Sequence, residues 1–190
     1  MEDQLGLRGR TIIKNDQIYF VTTTTVEHTR VFIADIYCDL LVKNILHYQK
    51  RYQFTILGYV IMPSHFHWIL KTNYQLGSVS DIMRDIKKYS AWDILEQIEK
   101  SDYEMLRLFQ DAAIGYKNQK RKLWMPRFDD QVIRNAEMFW TKLHYIHNNP
   151  VKAEITMKSE DYKYSSARNY AFGDNSILKI DTSYAGIQLK

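Results

Sequence analysis

Residues 17–26 (Gln-Ile-Tyr-Phe-Val-Thr-Thr-Thr-Thr-Val) are β-branched and aromatic, the signature of a strand. From 33 to 51 the apolar residues Ile33, Ile36, Leu40, Leu41, Ile45 and Leu46 recur at helical spacing. Residues 54–62 read as a buried strand. Pro63-Ser64 interrupts, and 65–72 read as the next strand. Gly77-Ser78 opens a long helix over about 78–99, with Ser78 or Ser80 as its N-cap. The pattern weakens from 101 to 122. Residues 123–134 read as an irregular loop leading into a short strand, and 136–148 as a helix that stops at Asn149-Pro150, because proline cannot continue the hydrogen-bond ladder. The order β-α-β-β-α-β-α contains the split β-α-β arrangement of ferredoxin-like, RRM-like folds. The predicted architecture is α+β: an antiparallel βαββαβ sheet with helices over one face and a C-terminal helix that carries a tyrosine, Tyr145. The second sheet face is left for function or for that last helix.

Composition narrows the class. The chain has 190 residues, the length of one domain, and no linker or repeat divides it. A 45% hydrophobic and 25% charged content is that of a globular protein. The net charge of +4 permits a nucleic-acid partner without requiring one. No apolar run approaches a membrane span, and the polar start Met1-Glu2-Asp3-Gln4 is unlike a secretory signal. With one cysteine, Cys38, no internal disulfide or cysteine-based zinc site is expected, and a reducing cytoplasm is the default location. Fourteen tyrosines are a large stock of side chains for packing, base stacking or nucleophilic attack.

Two local patterns bear on chemistry. In His65-Phe66-His67-Trp68 the strand alternation sends both histidines to one face, Cα atoms roughly 6–7 Å apart, and the two rings to the other. Taken alone, this reads first as a pair of partly exposed strand histidines without a ligand, and only second as a pair of metal ligands. In Tyr145-Ile146-His147-Asn148-Asn149-Pro150, Tyr145 and Asn149 lie one turn apart on one helix face. Alone, they read as a tyrosine packed on the sheet and a helix-terminal residue before Pro150. His144 and His147 read as solvated or rim histidines.

Together with their flanks these patterns resemble a known family. Tyr59-Val60-Ile61-Met62-Pro63-Ser64-His65-Phe66-His67 resembles the strand and histidine motif of the HUH single-tyrosine transposases. The stretches 124–135, 145–153 and 161–167 resemble the REP-associated tyrosine transposase branch, and the resemblance runs over about 17–172, leaving 1–16 and 173–190 peripheral to a single domain. Ser64 stands where these proteins often have Asn, and Glu154 where Gly is common. Neither departure touches the histidines or the tyrosine.

The resemblance implies a transposase that cuts and rejoins hairpin-containing single-stranded DNA through a covalent 5′-phosphotyrosine. It assigns Tyr145 as nucleophile, His65 and His67 as paired metal ligands, Asn149 as third ligand, and Asp130 as an accessory acid without a firm role. Two imidazoles and a carboxamide, completed by phosphate and water, suit Mg²⁺ or Mn²⁺. Candidate DNA contacts are Lys87, Lys88, Arg127, Arg134 and the basic loop 117–122, with Trp124 as a stacking candidate. The family implies a monomer or a homodimer, in which Tyr145 acts in its own or its partner's site. The alternative is a non-catalytic or domesticated hairpin-binding protein, for DNA or RNA, of the same fold.

Overall fold

The computed structural model describes residues 16–183. Of the peripheral residues 1–16, all but Asp16 lie outside the described residues, as do 184–190. The elements are β1 (Ile18–Thr24), α1 (Asp35–Tyr52), β2 (Thr55–Met62), β3 (His65–Lys71), α2 (Val79–Ser101), α3 (Tyr103–Asp111), β4 (Asp129–Val132), α4 (Ala136–Lys152) and α5 (Ala167–Phe172). The sheet runs β2-β3-β1-β4 with every neighbouring pair antiparallel, as the βαββαβ order predicts.

Alternation along the strands builds two cores. Val21, Phe66, Trp68 and Leu70 meet Leu41 and Ile45 of α1 and Ile82 and Ile86 of α2 on one face. Leu57, Val60 and Ile69 meet Phe139, Leu143 and Ile146 of α4 on the other. The helix bearing Tyr145 therefore packs on the face that β3 gives to His65 and His67.

α2 begins as its sequence suggests. Ser78 Oγ accepts from the Asp81 amide at 3.2 Å, and Asp81 accepts from the Ser78 amide at 3.1 Å, a reciprocal capping box. Two boundaries differ from the sequence reading. The weakly patterned stretch after 101 contains α3, whose amide at Met105 is capped by Asp102 at 2.9 Å and which buries only Leu106 and Phe109. Leu106 and Phe109 share one face, but nine residues are too short a segment to stand out between α2 and the irregular stretch that follows. α4 also does not stop before Pro150 but runs through it to Lys152. Proline withholds one N–H, that facing the Ile146 carbonyl. Bonds from Ala153 to Asn149 (3.0 Å) and from Ile155 to Pro150 (2.9 Å) engage the next carbonyls, so the last turn holds.

The outer edge of β2 is covered by the C-terminal segment. Ile61 donates to the Tyr164 carbonyl, Ser166 to the Tyr59 carbonyl and Asp181 to the Ile56 carbonyl, at 2.9, 2.9 and 3.0 Å.

A register shift at Ile56/Gly58 interrupts the β2–β3 ladder, and Gly58 faces α4 there. A Cβ at this position would stand 2.6 Å from Leu143 Cδ1 and 3.1 Å from Ile146 Cδ1, both on side chains already packed in the core. Gly58→Val should thus push α4 off the sheet and cost about 1–3 kcal/mol, the usual range for overpacking. A urea titration reads this as a lowered midpoint; an unchanged midpoint would show that α4 yields without strain.

Candidate active site

The β1–β3 register sets Thr22 opposite His67, and Thr22 Oγ1 lies 2.7 Å from His67 Nδ1. With Nδ1–H donating to that hydroxyl, Nε2 carries the lone pair. Nε2 is buried and has no hydrogen-bond partner among the described residues. Burial foremost, then the neighbouring His65 and Lys142, pushes the His67 pKa down to about 3, so the imidazole stays neutral. His65 stands beside it, ring centroids 4.8 Å apart, with Ser64 Oγ 3.3 Å from its Nδ1. Its pKa is also lowered, by burial first and then by His28.

Tyr145 comes down from α4 onto this pair. Its ring centroid is 5.4 Å from that of His67 and 6.0 Å from that of Phe20, which itself stacks on His67 at 5.7 Å. The tyrosine is nevertheless 43% exposed, so a macromolecular substrate can reach it. One turn on, Asn149 Nδ2 donates to the Tyr145 carbonyl at 2.9 Å, which leaves the amide oxygen as the atom it can offer.

The structure thus brings His65, His67 and Tyr145 together on one sheet face, with Asn149 on the adjacent turn. It places the other sequence candidates elsewhere. Asp130 pairs with Val21 in the β1–β4 ladder, on the face covered by α1 and α2, because the register makes Asp129 and not Asp130 the partner of Thr22. Lys87 Nζ donates to the carbonyls of Met125 (2.8 Å) and Arg127 (3.0 Å), tying down the chain before β4. Lys88, Arg127 and Arg134 are exposed. In the 117–122 loop, Arg121 bonds Glu99 at 2.7 Å and Lys122 is buried over the Tyr116 ring. Trp124 cannot stack on a base: it is buried, stacked on Phe32, and its indole N–H donates to Ser90 at 3.1 Å.

His147 also departs from its reading as a rim residue. Its Nε2 lies 2.8 Å from Ser166 Oγ, and the Ser166 hydroxyl in turn accepts from the Tyr59 amide at 2.9 Å. This chain of contacts ties α4 to β2. His144 remains exposed, near Trp140. Sequence reasoning overlooked three further neighbours. Lys142 Nζ lies 4.7 Å from the Phe20 ring centre and Lys152 Nζ 5.9 Å from that of Tyr145; the spacing 142, 145, 149, 152 marks one helix stripe and could have found them. His28, in a turn where it and Glu27 both have positive φ, carries no such signal.

Burial, followed by His144, likewise holds His147 near a pKa of about 4. An unfolded chain takes up protons at both His67 and His147 near pH 6.5, and the folded protein does so only near 3 and 4. The unfolded state therefore binds more protons in this window, and stability falls as the pH drops from 6.5 towards 4. By pH 4.5 each histidine should contribute a loss of about 2 kcal/mol. Urea midpoints at neutral pH and pH 4.5 measure this, and His147→Gln should flatten the dependence. A midpoint independent of pH would contradict buried neutral imidazoles.

Among the described residues no group of three or more His, Cys, Asp or Glu side chains could hold a metal ion. The donors that fit a divalent cation here are of another kind: the unpartnered, neutral Nε2 of His67, the adjacent His65 and the Asn149 carboxamide. The Thr22 contact orients the His67 ring as hydrogen bonds to a ligand's second nitrogen commonly do.

Known proteins resemble this chain in sequence and fold. The chain is 25% identical over 157 residues to the REP-associated tyrosine transposase of Escherichia coli (strain K12), covering 83% of this chain and 79% of that protein. Its fold matches a structure of a REP-associated tyrosine transposase bound to a REP hairpin, with a TM-score of 0.63, 22% identity and 95% coverage of both chains. The profile of the family described as "Transposase IS200 like" matches residues 14–112, just over half of the chain, from β1 through α3 and including both histidines. The chain belongs to the IS200-like transposase family.

Proposed function

We propose that this protein is a metal-dependent tyrosine transposase: a single-strand endonuclease and strand transferase for hairpin-containing single-stranded DNA that works through a covalent 5′-phosphotyrosine. The observation that carries the reading is the buried, unpartnered Nε2 of His67 beneath an exposed Tyr145. A buried lone pair without a partner is costly unless a ligand engages it. The similarity to a transposase solved with a REP hairpin supports the choice of a hairpin partner.

In this reading the Tyr145 hydroxyl attacks a backbone phosphorus. The Tyr145 oxygen–phosphorus bond forms, the bond to the 3′-oxygen breaks, and a free 3′-hydroxyl leaves. A second 3′-hydroxyl later displaces Tyr145 and restores a phosphodiester, so no external energy source is needed. Phe20 and His67 flank the phenol and fix its approach. His65, His67 and Asn149 would hold a Mg²⁺ or Mn²⁺ ion, which when bound polarises the phosphate and stabilises the leaving oxygen. Lys142 and Lys152 add positive charge along the same stripe of α4, where the DNA backbone must pass. Lys88, Arg127 and Arg134 are exposed cations that can contact phosphates elsewhere. A DNA substrate places the protein at the nucleoid, in the cytoplasm; no described helix is long and apolar enough to cross a membrane.

The test is incubation with hairpin oligonucleotides that carry single-stranded flanks, with Mg²⁺, with Mn²⁺ and with chelator, followed by a denaturing gel. A metal-dependent covalent protein–DNA band supports the proposal. Tight binding without any adduct would instead favour a hairpin-binding protein that has kept the fold and lost the chemistry.

A further inference from the structure

On the face of the molecule that α2 covers, a groove of about 570 Å³ runs between α2 and the 116–126 segment. Its α2 wall presents Lys87, Lys88, Ala91, Trp92 and Leu95, whose spacing is that of one helix face. Its other wall is rigidly placed: Lys122 donates to the Phe109 carbonyl and Met125 to the Thr24 carbonyl, both at 2.8 Å, and the Trp124 indole is anchored on Ser90.

Three features mark this groove as a built one. No acidic residue lines it, while five cations do. Lys122 is only 8% exposed, has no ion-pair partner among the described residues, and stands close enough to Lys87 for the two charges to repel. Asp129 offsets part of that repulsion, and Lys87 is also engaged by carbonyls of the wall. Finally, Trp92 is 62% exposed beside these cations, whereas the Tyr116 ring, 46% exposed, carries the Lys122 ammonium 3.6 Å from its centre. Arg121 is paired with Glu99, but Lys88, Lys120 and Lys122 have no carboxylate partner among the described residues; unpaired cations match a polyanion, and the exposed Trp92 ring matches an unpaired base. A duplex, with its bases stacked inside, would use the cations and leave the ring idle.

We infer that this groove binds the unpaired flank of the hairpin DNA, with a base stacked on Trp92 and phosphates held by Lys88 and Lys120. The inference rests on the function proposed above and adds to it a second contact region, on the opposite sheet face from Tyr145. The two regions are linked at one end of the sheet. Trp124 and Met125 leave the groove wall to pair with Thr25 and Thr24, and Thr24 is the partner of His65. A strand held in the groove thus enters the catalytic face around that end.

The experiment measures fluorescence anisotropy of a labelled hairpin with a single-stranded flank and of the same hairpin cut blunt. Trp92→Ala should weaken the flanked hairpin by about tenfold, within the range of a lost base stack, and leave the blunt one unchanged. Trp92→Phe should restore most of the affinity. Lys88→Ala with Lys120→Ala should reduce the salt dependence of flanked binding by about one to two phosphate contacts. Thermal melting checks the fold of each variant; an exposed side chain should leave it unaltered. The inference is overturned if the flank adds no affinity to the wild-type protein, or if Trp92→Ala weakens both DNAs equally or neither. Adduct formation is scored separately on the wild type at saturating DNA. A missing adduct there defeats the transposase reading, whereas an unmoved flank affinity defeats only the groove.

Discussion

Tyr145→Phe is expected to abolish the covalent adduct while leaving hairpin affinity within about twofold and the urea midpoint within about 0.5 kcal/mol. The substitution removes one oxygen and keeps the ring that meets His67 and Phe20. Its site is already 43% exposed, so little buried surface changes. Loss of the only atom that can bond to phosphorus should not leave partial activity in the band itself; residual strand cleavage without a band would point to water as the nucleophile. An adduct that survives in the Phe variant would overturn the nucleophile assignment, and a search among the other tyrosines would begin with those near α4. Mixing Tyr145→Phe with a His67→Ala chain also separates two arrangements: recovery of adduct in the mixture means the tyrosine of one copy serves the histidines of another.

His67→Ala should reduce adduct formation by about a hundredfold or more, since the substitution removes the donor nitrogen on which cation binding is proposed to depend, and a bound cation contributes several kcal/mol to such a step. It also leaves Thr22 Oγ1 without its partner and opens a space beneath Tyr145, a structural loss of about 1–3 kcal/mol. The two effects separate experimentally. His67→Ala at a temperature well below its own melting transition should still bind hairpin DNA, and raising Mn²⁺ should recover part of the rate if His65 and Asn149 retain a weakened ion. Thr22→Val provides the second comparison: it keeps the histidine but loses the hydroxyl that sets its ring, and should shift the metal concentration needed more than the maximal rate. If His67→Ala forms adduct as fast as wild type, the imidazole is a core residue and the proposed ion site fails.

What could be read from the chain alone follows how local each feature is. His65 and His67 share a face because alternation along a strand is set within three residues, and Phe66 and Trp68 point into the opposite core for the same reason. Tyr145 and Asn149 share a helix face by spacing alone. The antiparallel four-stranded sheet followed from element order. Features that depend on distant pairing were not legible. Whether Asp129 or Asp130 faces the histidines is decided by the register of β4 on β1, more than a hundred residues apart in sequence. Trp124 looked available for stacking until the segment between β1 and α1 supplied Phe32's ring and α2 supplied Ser90's hydroxyl around it. Lys87 reads as a surface cation on its helix, but two carbonyls from the 125–127 stretch occupy it. Pro150 was a plausible stop signal, overridden because the lost bond falls in the final turn and the ring is buried.

The segment that closes over β2 has a consequence for how the protein must be made. Residues 164–181 are synthesised after every strand they protect, so a growing chain carries a bare apolar β2 border until that segment has emerged from the ribosome. Uncovered borders of this sort pair readily with other chains. Prematurely terminated copies lacking Tyr164 and Ser166 should therefore accumulate as aggregates, and only chains finished through that point would yield protein able to handle DNA.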